Sequence, residues 1–467
     1  MGLQLRRESS GARFGLPRML AAATGTIALV LVSFLVGVNA AGVAPASPPW
    51  QIIDTVTGAA IDSVSCPTTT SCFAVGGPSL VAFSNAPNTS TDYLPPSGVD
   101  GLTSIACPSV NTCLVAGFKT VQVNFMNTYR QGVLLSASFS PTGPTWTTES
   151  IPIPTGDPVM PELTDVACPS TDACYVSTKP TIAAPMAAFL ATADGGAHWT
   201  ALPLPSGVSQ FGALACPQTP SNSTCYATDN VEHDLAVTTD GGATWSITPS
   251  PVTTAGINDV ACPSATTCFV AADGYVFATT DSGALWTTQR VREGNELLGI
   301  SCSSISNCET VGITIGSSGP TGFIAATSNG GAKWTSVTPP PAGQTYTIND
   351  VNCPGSAECF AVAPGSSSTY ILATIPPVPL VITTASLPTA TRGVPYSVQL
   401  QAVGGQAPYH WKKLSALPRG LRLSSGTISG TAKLKDSSGP YSITVSVRDS
   451  TKGTHQTATR NLTLNVA

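Results

Sequence analysis

Fourteen cysteines fall into seven short-range pairs, and no other feature of this 467-residue chain restricts its fold as tightly. The pairs are Cys66 and Cys72, Cys107 and Cys113, Cys168 and Cys174, Cys216 and Cys225, Cys262 and Cys268, Cys302 and Cys308, and Cys353 and Cys359. Six enclose five residues and one encloses eight. Each sits in a setting like LTDVACPSTDACYVS, a β-rich run, a turn with Pro and Ser, and a second β-rich run, so each pair is expected to bridge the strands of one hairpin. An even number of cysteines at such spacing belongs to an exported protein in an oxidising compartment. Zinc is a poor alternative, because the chain has only 4 histidines and none accompanies a cysteine pair at ligand spacing. No metal or other cofactor is expected.

The pairs recur from Cys66 to Cys353 at a mean step of about 48 residues, the length of a propeller blade. Each unit supplies four strands; in the third they are ELTDVAC, CYVST, AAFLATADGG and HWTALPLP. Radial repetition of a four-stranded sheet makes a β-propeller. The seventh unit stops before a Trp-bearing fourth strand, whereas WQIIDTV at Trp50 precedes the first cysteine hairpin and resembles such a strand. Pairing the two ends would close the ring and leave no sheet edge open. Trp50, Trp146, Trp199, Trp245, Trp286 and Trp334 then fill six fourth-strand starts, with Tyr93 expected at the seventh.

The fourth strands follow a recurrent turn, ATADGGAHWT, VTTDGGATWS, ATTDSGALWT and ATSNGGAKWT, in which Asp194, Asp240, Asp281 or Asn329 can accept turn amides and the glycines tolerate positive φ. Each indole N–H is expected to find one partner. These turns resemble the Asp-box (BNR) repeats of sialidases, sortilin-type receptors and propeller-type photosystem II assembly factors. The resemblance covers residues 49–375 and implies propeller architecture without an activity, since the Asp-box lies away from the catalytic centre in those families. The remainder, residues 376–467, contains PYSVQLQAVGGQAPYHW, LPRGLRLSSGTISGT and PYSITVSVRDS. It resembles an Ig-like domain common in bacterial surface proteins, through Pro408, Tyr409, Trp411, Leu417, Pro418, Gly420, Leu421, Gly426, Ile428 and Gly430. Short alternating strands and regular turns independently indicate a β-sandwich there. The fold class expected is therefore all-β, a seven-bladed propeller followed by an Ig-like sandwich.

Residues 1–48 are separate: Arg6, Arg7, Arg13 and Arg18 precede an uncharged stretch from Met19 to Val38. It is either a signal peptide cleaved after Val38-Asn39-Ala40 or an uncleaved membrane anchor, and in both cases the body lies outside the cytoplasm.

Chemistry is sparse. A sialidase-like site needs three converging arginines, and the propeller region has only Arg130, Arg290 and Arg292. Asp165, Asp259 and Asp350 each stand three residues before the first cysteine of their unit, where a channel-lining strand would turn three acids toward one opening, as a glycoside hydrolase needs. The competing assignment makes them strand-end or turn residues with local hydrogen bonds. The long insertion between Cys113 and Cys168 contains VQVNFMNTYRQG, so Phe125, Tyr129 and Arg130 are the candidate binding residues; a lengthened strand pair is the simpler account.

Charge divides the chain. Residues 49–375 carry 6 basic and 22 acidic residues, and residues 376–467 carry 10 basic residues against Asp436 and Asp449. A basic sandwich suits contact with an anionic envelope surface or with its own propeller, and nothing resembles a nucleic-acid module. The expected function is non-catalytic binding of an envelope glycan or surface protein, with membrane contact only through the N-terminal segment; a glycoside hydrolase and an assembly factor are the alternatives.

Overall fold

The computed structural model describes residues 49–467 apart from 125–126, 230, 252–255, 293–294, 317–318, 341–344, 375–378, 406 and 451–454. All helices and strands among the described residues are strands. Seven four-stranded antiparallel sheets occupy the region up to residue 374. The third shows the pattern: Glu162–Ala167, Cys174–Lys179, Ala188–Thr192 and Thr200–Pro203 pair in chain order. Six sheets follow this order. The seventh joins Asp350–Asn352, Phe360–Pro364 and Ser368–Thr374 to Trp50–Thr57 from the other end of the region, in register from Trp50↔Thr374 to Thr57↔Ser368. The strand from the start of the region thus covers an edge that the end of the region would leave open.

The first strand of each sheet is termed its lead strand: Ser63–Thr68, Gly101–Ser109, Glu162–Ala167, Leu214–Ala215, Ile257–Ala261, Asn295–Cys302 and Asp350–Asn352. Each packs beside the lead strands of the preceding and following sheets, and that of the seventh packs beside that of the first. Seven apolar clusters lie at the contacts between consecutive sheets, including one built from Ile53, Ile61, Val64, Phe360 and Ile371 where the seventh meets the first. Second strands are covered on both faces: every residue of Cys225–Asp229 and Cys268–Ala272 is buried, the polar Thr228 and Asp229 included.

All seven expected disulfides are formed, with Cα–Cα separations of 4.0 to 4.2 Å, and no cysteine is free. Each ties the first strand of a sheet to the second across its turn.

The recurrent turns repeat one hydrogen-bond set. In the third sheet Thr192 Oγ1 donates to Asp194 Oδ1 (2.9 Å), Gly196 N donates to Thr192 Oγ1 (3.1 Å) and His198 N donates to Asp194 Oδ1 (2.9 Å). The same three bonds recur at Thr238, Asp240 and Thr244, at Thr279, Asp281 and Leu285, and at Thr327, Asn329 and Lys333. The aspartates therefore serve the turn. Gly242 shows why the second glycine is needed: its φ is +93°, and a Cβ there would overlap the Phe189 ring of the preceding sheet. Gly241 has φ +74° but faces only Tyr175 Oη, at 3.6 Å. Gly242→Ala is expected to lower the unfolding free energy by about 2–3 kcal/mol and Gly241→Ala by about 1 kcal/mol, as read from urea midpoints. Equal losses would show that backbone strain alone sets the requirement.

Two expectations about the aromatics need correction. Trp50 opens its fourth strand and Trp199, Trp245, Trp286 and Trp334 directly precede theirs, whereas Trp146 lies within Gly143–Thr148, opposite Ala137. In the first sheet register puts Ser90, not Tyr93, at the place before pairing, since Ala82 pairs Thr91 as Ala191 pairs Thr200, and Tyr93 opposes Leu80 further along. Nor does every indole find a partner. Trp50 Nε1 donates to Glu309 Oε2 (3.2 Å) and Trp334 Nε1 to Gln289 Oε1 (3.1 Å), whereas Trp199, Trp245 and Trp286 bury Nε1 without a protein acceptor. Aromatic packing holds Trp245 instead, with ring centroids 5.1 Å from Phe189 and 4.6 Å from Phe211.

After residue 378 the chain forms two three-stranded sheets, Pro395–Gln399 with Thr427–Thr431 and Leu421–Ser424, and His410–Lys413 with Gly439–Arg448 and Thr457–Val466. Alternating burial sends Ile428, Ile443, Val445, Val447, Leu462 and Leu464 into one shared core, while Ser and Thr between them face outward. No cysteine staples this core.

Candidate functional site

Asp165, Asp259 and Asp350 occupy the same place in the third, fifth and seventh lead strands, and each makes the same pair of contacts. The Oδ1 of Asp165 accepts from Val166 N (2.8 Å), and its Oδ2 accepts from Leu214 N of the fourth sheet (2.7 Å). Asp259 accepts from Val260 N and from Ile300 N of the sixth sheet, both at 2.7 Å. Asp350 accepts from Val351 N (2.6 Å) and from Val64 N of the first sheet (2.8 Å). Each carboxyl thus bridges its own backbone to the equivalent amide of the next sheet. A register shift beside Asp165 and beside Asp259 turns these side chains across the seam. Ser104, which holds this place in the second sheet, donates to Asp165 Oδ1 (2.6 Å). Ser65 and Ser301 accept Cys107 N and Cys353 N across two further seams, both at 3.0 Å. One bond of each pair is local, to the amide of the next residue, and Asp350 opens its strand, as the competing assignment has it; the second bond crosses to the next sheet, which that assignment did not include.

Electrostatics links the three carboxyls although their sheets are not adjacent. Burial raises all three pKa values above the ordinary aspartate value. Asp259 is raised further by the charges of Asp350 and Asp165, and Asp350, also raised by Asp165, reaches about 7. The carboxyls are thus close enough to feel one another's charge. Among the described residues, no three His, Cys, Asp or Glu side chains are grouped to hold a metal ion.

A fourth carboxyl escaped the sequence reading. Glu309 follows Cys308, where the other sheets carry Phe73, Leu114, Tyr175, Tyr226, Phe269 and Phe360. It is 8% exposed, accepts the Trp50 indole N–H, and burial pushes its pKa up to about 7. The signal was available: one acidic residue interrupts an apolar and aromatic series.

The insertion in the second sheet is a long hairpin, Thr112–Asn124 paired with Asn127–Ser140. Lead-strand pairing ends at Phe118, so about six residues overhang by roughly 20 Å. Tyr129 and Arg130 lie on this overhang, opposite Val121 and Thr120; Phe125 lies outside the described residues. The Arg130 guanidinium sits 4.1 Å above the Phe118 ring and 3.3 Å from Glu162, which also meets Lys179 Nζ at 3.3 Å. Its side chain remains 52% exposed. The cation is also felt by Asp62, which burial raises and the Asn349 hydrogen bond and Arg130 charge lower. A lengthened strand pair and an exposed polar surface are therefore one object.

Comparisons with known proteins bear on fold. Residues 378–467 match a family model described as He_PIG, "Putative Ig domain". No curated protein is detectably similar to the chain. Among solved structures, YCF48 bound to D1 peptide is 14% identical with a TM-score of 0.51, over 71% of this chain and 98% of that one. The GH74 enzyme of Niastella koreensis is 13% identical with a TM-score of 0.50, over 76% of this chain and 59% of that one. The structural neighbours are β-propellers, and at this identity the likeness concerns fold alone. Seven disulfides, with the Ig-family match, indicate an extracytoplasmic protein. Among the described residues no helix is long and apolar enough to cross a membrane; residues 19–38 lie outside them.

Proposed function

We propose that the protein is an extracytoplasmic binding scaffold: a seven-bladed propeller of Asp-box type closed by Trp50–Thr57, followed by an Ig-like sandwich, recognising an envelope glycan or surface protein through the overhanging hairpin. The observation that carries this reading is the use made of the lead-strand carboxyls. All six oxygens of Asp165, Asp259 and Asp350 accept backbone N–H groups, so these buried acids are engaged in joining sheets. A rigid frame that exposes an aromatic and a cation on a projecting hairpin suits recognition. YCF48 in complex with D1 peptide is a propeller holding a peptide, which makes a peptide segment of a surface protein one reasonable target.

The test is binding of purified residues 49–467 to isolated envelope polysaccharides and to surface proteins across a salt series. The paired change Tyr129→Ala and Arg130→Ala is expected to weaken the observed binding at least about tenfold with little loss of stability, since half-exposed ion pairs contribute little. Unchanged affinity would move the site elsewhere.

A second reading, glycoside hydrolysis, is favoured by one observation: Asp259 and Asp350 have the raised pKa values a general acid needs. Release of sugar from an envelope polysaccharide, abolished by Asp259→Asn, would establish it.

A further inference from the structure

The exposed tip of the C-terminal region has a composition that its own fold does not require. Beyond strand Thr427–Thr431 the chain turns through Lys433–Asp436, closed by Asp436 N to Lys433 O (3.0 Å) and Lys433 N to Asp436 Oδ2 (3.2 Å). Leu434 stands at the crown and is 76% exposed, the highest value among the exposed large hydrophobic side chains described. A Cβ on Gly393 would lie 3.4 Å from Leu434 Cδ2, and Val394 beside it is 49% exposed. Four basic residues belong to the segments that meet here. Lys433 and Lys435 flank Leu434; Arg392 Nη1 donates to Asp436 O (3.3 Å); Lys433 N donates to Arg419 O (3.0 Å), and a Cβ on Gly420 would lie 3.5 Å from Lys433 Cε. The only acid in the turn, Asp436, is tied to the Lys433 amide. Gly393 N to Ala432 O (2.9 Å) fixes the two segments together.

We propose that this tip is a peripheral contact for an anionic lipid membrane, in which Leu434 and Val394 enter the headgroup boundary while Arg392, Arg419, Lys433 and Lys435 meet lipid phosphates. A lipid interface presents an apolar layer beneath an anionic one, and the tip presents the complementary order, an apolar crown inside a cationic collar. A hydrated polyanion would use the collar and leave the crown without a role. Lysine and arginine stems cover apolar surface while their charged ends reach outward, so the collar fits the same depth profile. Charge alone does not single the tip out, since Lys412 and Lys413 are also exposed, on the strand paired with Val445 and Ser446. This membrane contact is additional to the one expected of the N-terminal segment.

The test uses residues 49–467, which carry every described strand, core cluster and disulfide, with sedimentation on vesicles of phosphatidylcholine alone or with about one-quarter phosphatidylglycerol. Binding is expected only to the anionic vesicles, weakened about tenfold by Leu434→Ser at unchanged charge and abolished by Lys433→Glu with Lys435→Glu. Lys412→Glu with Lys413→Glu makes the same change of charge elsewhere and is expected to act less than about twofold. Binding indifferent to Leu434→Ser, or equal loss in both charge pairs, would overturn the lipid assignment in favour of general attraction to polyanions, with inorganic polyphosphate as the competing probe. Absence of phosphatidylglycerol-dependent binding would overturn the proposal altogether.

Discussion

At pH 8, Glu309→Gln is expected to raise the unfolding free energy by roughly 2–3 kcal/mol, and at pH 4.5 to change it little. Glu309 is buried beside Trp50, and its pKa rises from 4.5 to about 7. A carboxyl raised in the folded state is protonated more readily there than in the unfolded chain. Its contribution is fully present below pH 4.5 and is lost as pH rises through about 7. Glutamine keeps an oxygen for the indole N–H and has no charge to bury. Groups shifted the other way do not obscure the result. Asp194, held at about 2 by the amide and ring of His198, and Asp240 and Asp281, lowered by their own turn bonds, change protonation only in stronger acid. Between pH 5 and 8 the slope therefore comes from the raised groups, Glu309, Asp259 and Asp350 foremost, and the wild-type protein is expected to be more stable in mild acid than in mild base. Urea unfolding at both pH values checks this; equal effects of the substitution at both would mean that Glu309 does not titrate between them.

The position of Glu309 also shows how much of the architecture could be read from residues alone. Disulfide partners were legible because each pair sits within one hairpin, where spacing and turn composition leave little choice. Assignment of Trp50–Thr57 to the last sheet was legible by elimination, one fourth strand lacking at the end and one unclaimed at the start. Tyr93 was misplaced because an aromatic was matched by type; Ser90 and Tyr93 are three positions apart, and only pairing register counts them. The xDVxC pattern of TDVAC, NDVAC and NDVNC was visible, but its use was not. A clamp between two backbone amides depends on the neighbouring sheet, 49 residues away in sequence for Asp165, 41 for Asp259 and 286 for Asp350, and no local property of an aspartate reports which amide lies opposite. Phosphates, sugars and peptides all suit a projecting Tyr and Arg, so the ligand was legible only as a class.

Asp350 gives the sharpest separation between a joining role and a catalytic one. Asp350→Ala is expected to lower the unfolding free energy at pH 5 by about 2–5 kcal/mol, since it strands the amides of Val64 and Val351, and a buried unpaired donor costs about 1–3 kcal/mol. Both residues are enclosed, at 4% and 2% exposure, so water cannot readily replace the carboxyl. The seam concerned joins the seventh sheet to the first, where the strand pairing of Trp50–Thr57, the Asn349 to Asp62 hydrogen bond and the apolar cluster of Ile61 and Phe360 also link the ends of the region. Because the pKa of Asp350 is raised from 3.8 to about 7, wild-type stability due to this group falls as pH rises from the lower value through the higher one, and the mutational loss is expected to be smaller at pH 8 than at pH 5. Asp350→Asn keeps one acceptor and should fall between. A carboxyl kept for acid catalysis behaves oppositely, because crowding buried acids together costs stability that removal of one of them returns. Alanine variants at Asp165, Asp259 and Asp350 that all unfold at lower urea concentration, each by the loss of one inter-sheet amide bond, would mark these residues as the joints of the fold; a gain in stability at pH 5 would instead direct the search for substrate to the centre of the ring.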